Sequence, residues 1–318
     1  MNLQNIHNKI VNGPIPLLSV TKTKIKNNKK GVLASYYNRY LNEIGYHFLR
    51  KANETIQLVE CEISHNHEEA VYVHSPYWNI FQSNLSEISI HINNSLITDN
   101  GKGIHQFSRD ARHSNNLFHW IMQDSTIERN HGGGFEVLLP DVWQYNENFT
   151  HSLYFGNNTW RNNEQFGFVV DGHFAHLNIS YNRFDSNHCK TGLISMRGME
   201  KKIRIDNNYI EDNNGIYMVE FRADSQSEIL GDIYARFYRN EIKRNMYDLS
   251  NLGSRRTFDD PSYVVGFHGI QKVQVHKNLF GENSLDYELL AGIRTAKINN
   301  EVDVRENWWG TANDTSIR

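Results

Sequence analysis

The chain is 318 residues long, with a formal charge of −3, 39% hydrophobic residues and two cysteines. A near-neutral balance gives no reason to expect nucleic-acid binding, and two cysteines are too few for a disulfide-built scaffold. No run of about 18 apolar residues exists that could cross a membrane as a helix.

The first residues, M-N-L-Q-N-I-H-N-K-I, hold neither the apolar segment nor the cleavage signal of a secretory leader. Residues 1–17 are expected to be a lead-in that continues an upstream region. An eleven-residue frame follows, clearest in Ile203–Asn213, which reads I-R-I-D-N-N-Y-I-E-D-N. It returns in segments that begin at Leu18, Ile56, Ile90, Trp120, Leu153, Leu177, Ile203, Ala235, Val273 and Val302, about ten copies in all. Those residues form one apolar column. A second column holds Val20, Leu58, Ile92, Met122, Phe155, Ile179, Ile205, Phe237, Val275 and Val304. Every member is apolar in a chain that is 39% hydrophobic, so chance does not explain the columns.

Apolar, any, apolar is the period of a strand whose alternate side chains share a face. Three or four such residues bury nothing alone, and gain a core only by stacking on copies of themselves. The copies at Leu153, Leu177 and Ile203 lie 24 and 26 residues apart, the length of one parallel β-helix coil with three short strands. F-G-F-V-V (Phe166–Val170) and G-I-Y-M-V-E-F (Gly215–Phe221) supply a further strand after the frame. Leucine-rich repeats share the period but need a dense leucine pattern that is missing, and propeller blades are longer. The expected architecture is all-β, a parallel β-helix of about ten coils over residues 18–312, with 313–318 as a tail. At ~4.8 Å per coil the rod is on the order of 50 Å tall.

Stacking also aligns polar positions. The sixth frame position holds Thr23, Cys61, Ser95 and Ser125, then Asn158, Asn182, Asn208, Asn240, Asn278 and Asn307, which are expected to form a hydrogen-bonded ladder. The asparagine corners are expected to take left-handed backbone. Glu211, on a corner, is expected to point outward and to tolerate alanine within about 0.5 kcal/mol.

The lysine-rich segment Lys22–Lys30 reads as a solvated face of the first coil. The longest gaps between copies are Lys29–Thr55 and Met246–Lys272. The first contains Y-Y-N-R-Y-L-N-E-I-G-Y-H-F, which could supply strands, and N-L-G-S-R-R-T-F-D-D-P in the second reads as a projecting loop. Cys61 and Cys189 are four coils apart, roughly 19 Å, beyond the roughly 7 Å that a disulfide spans. Asn53, Asn84, Asn93, Asn148, Asn157, Asn178 and Asn313 each begin N-x-S/T, a candidate N-glycosylation signal that favours an extracellular chain. The frame starts close to both ends, with no cap for the strand edges. That reads as an excerpt of a longer extracellular polypeptide.

Catalytic constellations are thin. Inverting hydrolases of the pectin-lyase-like solenoids need two carboxylates about 6.5–9.5 Å apart. Asp259-Asp260 lies in the projecting loop, and Gly266-Phe267-His268-Gly269 carries an inserted Phe where G-H-G would be expected. No column of Asp or Glu crosses neighbouring copies, so no calcium site is expected. His131-Gly132-Gly133-Gly134 is similar to an oxyanion-hole motif, but no G-x-S-x-G accompanies it and a turn between coils is the simpler reading. Among 16 histidines, His65-Asn66-His67 and Asp171-Gly172-His173 lack a third ligand, so no metal and no cofactor is expected. Arg109–His113 reads as a solvated mixed-charge loop. Trp120 and Trp160 fall in core columns, whereas Trp78 and Trp143, beside Tyr77 and Tyr145, could meet a sugar or a protein partner.

The last copy ends V-D-V-R-E-N-W-W-G-T (Val302–Thr311). With H-G-G-G-F-E-V (His131–Val137), W-R-N-N (Trp160–Asn163) and Y-I-E-D-N-N (Tyr209–Asn214), it resembles the right-handed parallel β-helix ectodomains of the insect bark beetle (Anakonda) family, over roughly residues 15–312. That resemblance implies a large single-pass membrane protein of tricellular septate junctions, whose β-helix regions alternate with cysteine-rich scavenger-receptor and lectin-like modules. Those modules, the membrane span and a cytoplasmic tail have no counterpart in this chain. It further implies an adhesive, non-enzymatic role on the extracellular side, with other junction proteins or a second copy as partners and glycans as further candidates. The contrasting expectation is a polysaccharide lyase or glycoside hydrolase working in a groove along one sheet. It requires two acidic residues converging beside a basic one. Whichever role holds, the stacked core makes one demand. Ile205→Asp, which places an unpaired charge among apolar side chains, should unfold the central coils, measured as a lost or strongly lowered melting transition.

Overall fold

The computed structural model describes residues 17–35, 53–75, 86–108, 116–139, 150–172, 175–197, 202–222, 234–247, 261–268, 272–292 and 301–310. These contain strands and no helix, so among them no helix is long and apolar enough to cross a membrane. One coil shows how the sequence becomes structure. His151–Gly156 lies in a ten-stranded sheet, Thr159–Arg161 in a nine-stranded sheet of short strands, and Phe168–Asp171 in a second nine-stranded sheet. The chain then returns to the first sheet at Ala175–Ser180 and repeats the circuit. We call these sheets I, II and III, in the order the chain visits them. Every pairing between coils is parallel, and the fold is a right-handed parallel β-helix.

Register places like on like. Leu153 pairs with Leu177 and Leu177 with Ile203, while Phe155 pairs with Ile179 and Ile179 with Ile205. Both expected columns are buried from Ile56 and Leu58 to Val273 and Val275. The third apolar position forms the inner face of sheet II, where Trp160 pairs with Phe184 and Phe184 with Ile210. Sheet III closes the interior. At mid-rod Phe135 meets Trp120 at 5.3 Å, Phe155 at 4.9 Å and Phe168 at 4.9 Å. Polar side chains also enter this core: Gln106 Oε1 accepts the Trp120 indole N–H at 2.6 Å, and the fully buried His151 Nδ1 accepts the Phe118 amide at 3.0 Å. At the outermost described coils the columns loosen. Leu18, Val20 and Val302 are only partly buried and Val304 is 37% exposed.

Two buried amide ladders run beside the core. At the corner between sheets I and II the rungs are Cys61, Ser95, Ser125, Asn158, Asn182, Asn208, Asn240, Asn278 and Asn307. Each asparagine's Oδ1 accepts from the residue one coil back, as Asn208 Oδ1 does from the Asn182 backbone at 2.8 Å and from Asn182 Nδ2 at 3.1 Å. Asn208 Nδ2 in turn donates to Ile179 O and to Asn240 Oδ1. Serine hydroxyls do the accepting in the earlier coils. A second ladder follows sheet II, through Asn66, Asn100, Asn130, Asn163, Asn187, Asn213, Asn245 and Asn283.

Left-handed backbone falls one residue earlier than expected. The ladder asparagines are not the left-handed residues; their predecessors are, whatever their type: Asn157, Tyr181, Asn207, Arg239 and Lys277 have φ of 53° to 59°. The side chain that must reach along the rod belongs to the second corner residue, so the first absorbs the reversal.

Glu211 corrects a second expectation. It ends the strand Tyr209–Glu211 but is only 6% exposed, because Arg183 and Arg244 fold over it from neighbouring coils. Arg244 Nη2 donates to Glu211 Oε2 at 2.7 Å. Glu128 is held by Arg161 of the next coil and by its own chain neighbour Arg129. Position within a single repeat pointed Glu211 outward; arginines from the coils on either side bury it. Glu211→Ala should therefore lower stability by about 2 kcal/mol, read from denaturant melting, because charge-assisted bonds are lost and two arginines are left facing each other.

The second ladder closes in an unusual way. The frame position after Asn283 is Ala312, which has no amide to offer. Asn283 Nδ2 instead donates to the Glu288 carboxylate, at 3.1 and 3.3 Å. Burial raises this carboxyl from 4.5 to about 6, against the Asn283 hydrogen bond. A carboxyl with a higher pKa folded than unfolded stabilises while protonated, so its contribution is complete below pH 4.5 and is lost as pH rises through about 6. Amides of residues 279–292 should exchange faster at pH 7 than at pH 4.5 after correction for intrinsic rates, and Glu288→Gln should remove that difference.

Candidate functional site

The outer face of sheet III carries the densest chemistry among the described residues. Strand alternation that sends Val71 and Val73 inward sends Tyr72 and His74 outward, and the next strand presents His105 and Phe107 beside them. The four half-buried rings form a tile. Tyr72 and His74 centroids are 5.9 Å apart with nearly parallel planes, His74 and Phe107 6.3 Å, and Tyr72 and His105 5.4 Å. Lys30 Nζ lies 4.1 Å from the Tyr72 ring centre, a cation over a π face.

Two carboxylates converge on this tile. His105 Nδ1 is 3.4 Å from Glu69 Oε1, and its Nε2 is 3.5 Å from Glu136 Oε2. Lys30 pairs with Glu69, and Lys102 with Glu136. Burial works against ionising Glu69, but hydrogen bonds from His105 and Lys30 overcome it and hold the carboxyl down at about 2. Two acids beside a base are the residue types of proton-transfer chemistry. Here, however, Glu69 stays ionised at neutral pH and both carboxylates are tied to lysines, which suits a charge-balanced contact face better than an acid catalyst.

A second cluster lies further along the same face. Tyr263 Oη donates to Glu220 Oε1 at 2.9 Å and is 3.0 Å from His268 Nε2, while Ser195 Oγ donates to Glu220 Oε2 at 3.2 Å. Glu220 and Tyr263 are buried, and Tyr263 stacks on Tyr217 at 5.5 Å. Gly266 lies under the Tyr263 ring, where a Cβ would sit 2.2 Å from it. Arg197 and Arg222 sit side by side on adjacent strands, with Arg197 3.3 Å from Asp171.

The residues singled out from sequence scatter by comparison. His131–Gly134 is a turn within one coil rather than between coils, joining Thr126–Glu128 to Phe135–Leu138, and the Gly132 and Gly134 amides donate to Gly101 O and Phe166 O of neighbouring coils. Gly133 adopts φ 109° under the Phe166 ring. His65 and His67 are exposed on either side of the ladder residue Asn66, and no group of three metal-ligating side chains occurs among the described residues. Gly266–His268 belongs to the strand Tyr263–His268. Cys61 and Cys189 are both buried free thiols, and burial pushes Cys189 up to about 12. Trp78, Trp143, Tyr77, Tyr145, Arg109–His113, His173, Asp259, Asp260, Gly269, Asn84, Asn148 and Asn313 lie outside the described residues.

Sequence reasoning missed the sheet III residues. It also missed that the lysines of the first coil meet glutamates of the next, Lys24 with Glu62 at 2.7 Å and Lys30 with Glu68 at 2.9 Å. The signal for the lysines was available, since Lys24 and Glu62 hold the same frame position one copy apart.

No family model and no solved structure matches the chain. The chain is similar to protein bark beetle of Drosophila melanogaster. The two are 48% identical over 326 aligned positions, which cover 99% of this chain and 10% of bark beetle. The resemblance read from the N-W-W-G-T ending and the Asn corners is thereby borne out along the whole β-helix. The chain spans about a tenth of the length of that relative.

The tile supplies its own test. Glu69 should titrate near 2 in the folded protein, followed by carboxyl NMR, and Lys30→Ala should move that titration upward. Because the folded value lies below the ordinary 4.5, the group's contribution to stability is present above pH 4.5 and lost as pH falls through about 2.

Proposed function

We propose that this chain is a rigid, non-catalytic adhesion and spacing segment on the extracellular side of an epithelial cell junction, within a large single-pass membrane protein. The observation that carries this reading is the 48% identity to bark beetle across 99% of the chain, together with the junction role that the family resemblance implies. The architecture supports it. A ten-stranded parallel stack spans about 45 Å, and two ladders and a continuous core resist bending along its length. The outer face of sheet III, aromatic and charge-balanced, is the natural contact surface for another junction protein or for a second copy.

The second reading, a polysaccharide lyase or hydrolase, keeps one observation in its favour: Glu69 and Glu136 flank His105. Against it stand the lysine partners of both carboxylates and the low Glu69 titration.

Displayed on cells that otherwise lack it, the chain should make expressing cells cluster, scored by aggregation with and without acidic polysaccharides in the medium. A Tyr72→Ala, Phe107→Ala double variant should reduce clustering while reaching the surface in equal amount. Shortening of the polysaccharide without clustering would instead establish the enzyme reading. Absence of both would remove the adhesive half of the proposal.

A further inference from the structure

The described glycosylation signals are not spread around the rod. Asn53, Asn93 and Asn178 lie in sheet I strands, Asn53–Val59, Ser86–Asn93 and Ala175–Ser180, and Asn157 lies at the corner that leaves sheet I. Sheets II and III carry none among the described residues. The sites also differ in what a glycan would disturb. Sugar is attached to the side-chain nitrogen, so the modified amide keeps its carbonyl and one N–H.

Asn157 is exposed on a left-handed corner, and its Nδ2 donates to the Asp124 carboxylate at 2.6 Å. The remaining N–H of a glycosylated amide preserves that bond. Asn178 sits on the outer face of sheet I between Tyr154 and Arg204. Its Oδ1 accepts the Ser180 hydroxyl at 2.6 Å, a bond that attachment at nitrogen leaves intact. Asn93 is different. Like Asn178 it is half-buried between two strands, Val59 and Gln123 here, but its Oδ1 is sealed from solvent with no hydrogen-bond partner. The hydroxyl of its signal, Ser95, is a rung of the first ladder, accepting the Cys61 amide at 3.1 Å and donating to Asn93 O at 2.8 Å. A glycan there would hang on an amide whose carbonyl is already sealed without a partner, next to that rung.

We propose that Asn157 and Asn178 carry N-linked glycans, that Asn93 does not, and that sheet I is consequently the sugar-shielded side of the rod. Hydrated glycans on sheet I oppose side-by-side packing through that face. They leave the aromatic tile of sheet III, on a different side, open to a partner. This inference rests on the extracellular reading given above.

The test is site-by-site occupancy. The full chain is secreted from cells with an added glycosylation signal at its C-terminus as an internal control, and the folded, monodisperse fraction is collected. Enzymatic deglycosylation in heavy-oxygen water marks each formerly occupied asparagine for mass spectrometry. Marks at Asn157, Asn178 and the control, with Asn93 unmarked, are expected. A mark at Asn93 in folded protein overturns the proposal, as does an occupied control with Asn157 or Asn178 unmarked. The aggregation experiment can fail while this labelling pattern stands, so the two readings fail separately. An Asn157→Gln, Asn178→Gln double variant should migrate faster on a gel by two glycan steps, and an Asn93→Gln variant should not shift.

Discussion

The central coils of this protein depend on buried asparagine amides that face along the rod. A parallel coil must turn sharply between sheets, and each turn leaves backbone N–H and C=O groups inside with no strand to receive them. The asparagine at the second corner position answers both needs. Its carbonyl takes the amides of the coil before, and its Nδ2 reaches a backbone carbonyl and the next asparagine. Left unmade, each of those bonds would cost about 1–3 kcal/mol, enough to stop the stack. The left-handed residue in front of each asparagine follows from the same demand, at a local cost of about 1–2 kcal/mol for a residue other than glycine.

With the corners secured, the core follows from repetition. Like side chains fall on like, so interior volume is filled by columns, and aromatic rings gather at mid-rod where Trp120, Phe135, Phe155 and Trp160 meet. The same stacking acts on charge. Glutamates at one frame position meet lysines or arginines of the next coil, which buries Glu128 and Glu211 without leaving them unpaired. Where the second ladder lacks a further asparagine, Glu288 supplies the acceptor.

The three sheets then divide the work. Sheet II and its corners are occupied by arginine–carboxylate pairs, sheet I holds the described glycosylation signals, and sheet III displays rings and balanced charge. A rod built in this way presents different surfaces on different sides without altering its interior. That is the property a spacing and adhesion segment requires, and it is compatible with the similarity to bark beetle.

The frame of Ile203–Asn213 was enough to read the parallel coil, its length and its two main core columns, because side chains at fixed spacing must share a face and copies in register must stack. Single residues inside the repeat were also legible wherever their partners occupy the same frame position one copy away. Glu211 was misjudged because its burial comes from Arg183 and Arg244, neither of which shares its frame position. The left-handed corner was placed one residue late, since residue type names the ladder asparagine and says nothing of the residue that makes the bend. The tile of Tyr72, His74, His105 and Phe107 was invisible for a different reason. Sheet III strands follow connections of varying length, so only their pairing across the folded rod decides which side chains stand together. Local periodicity determined the solenoid, and tertiary register decided its surface.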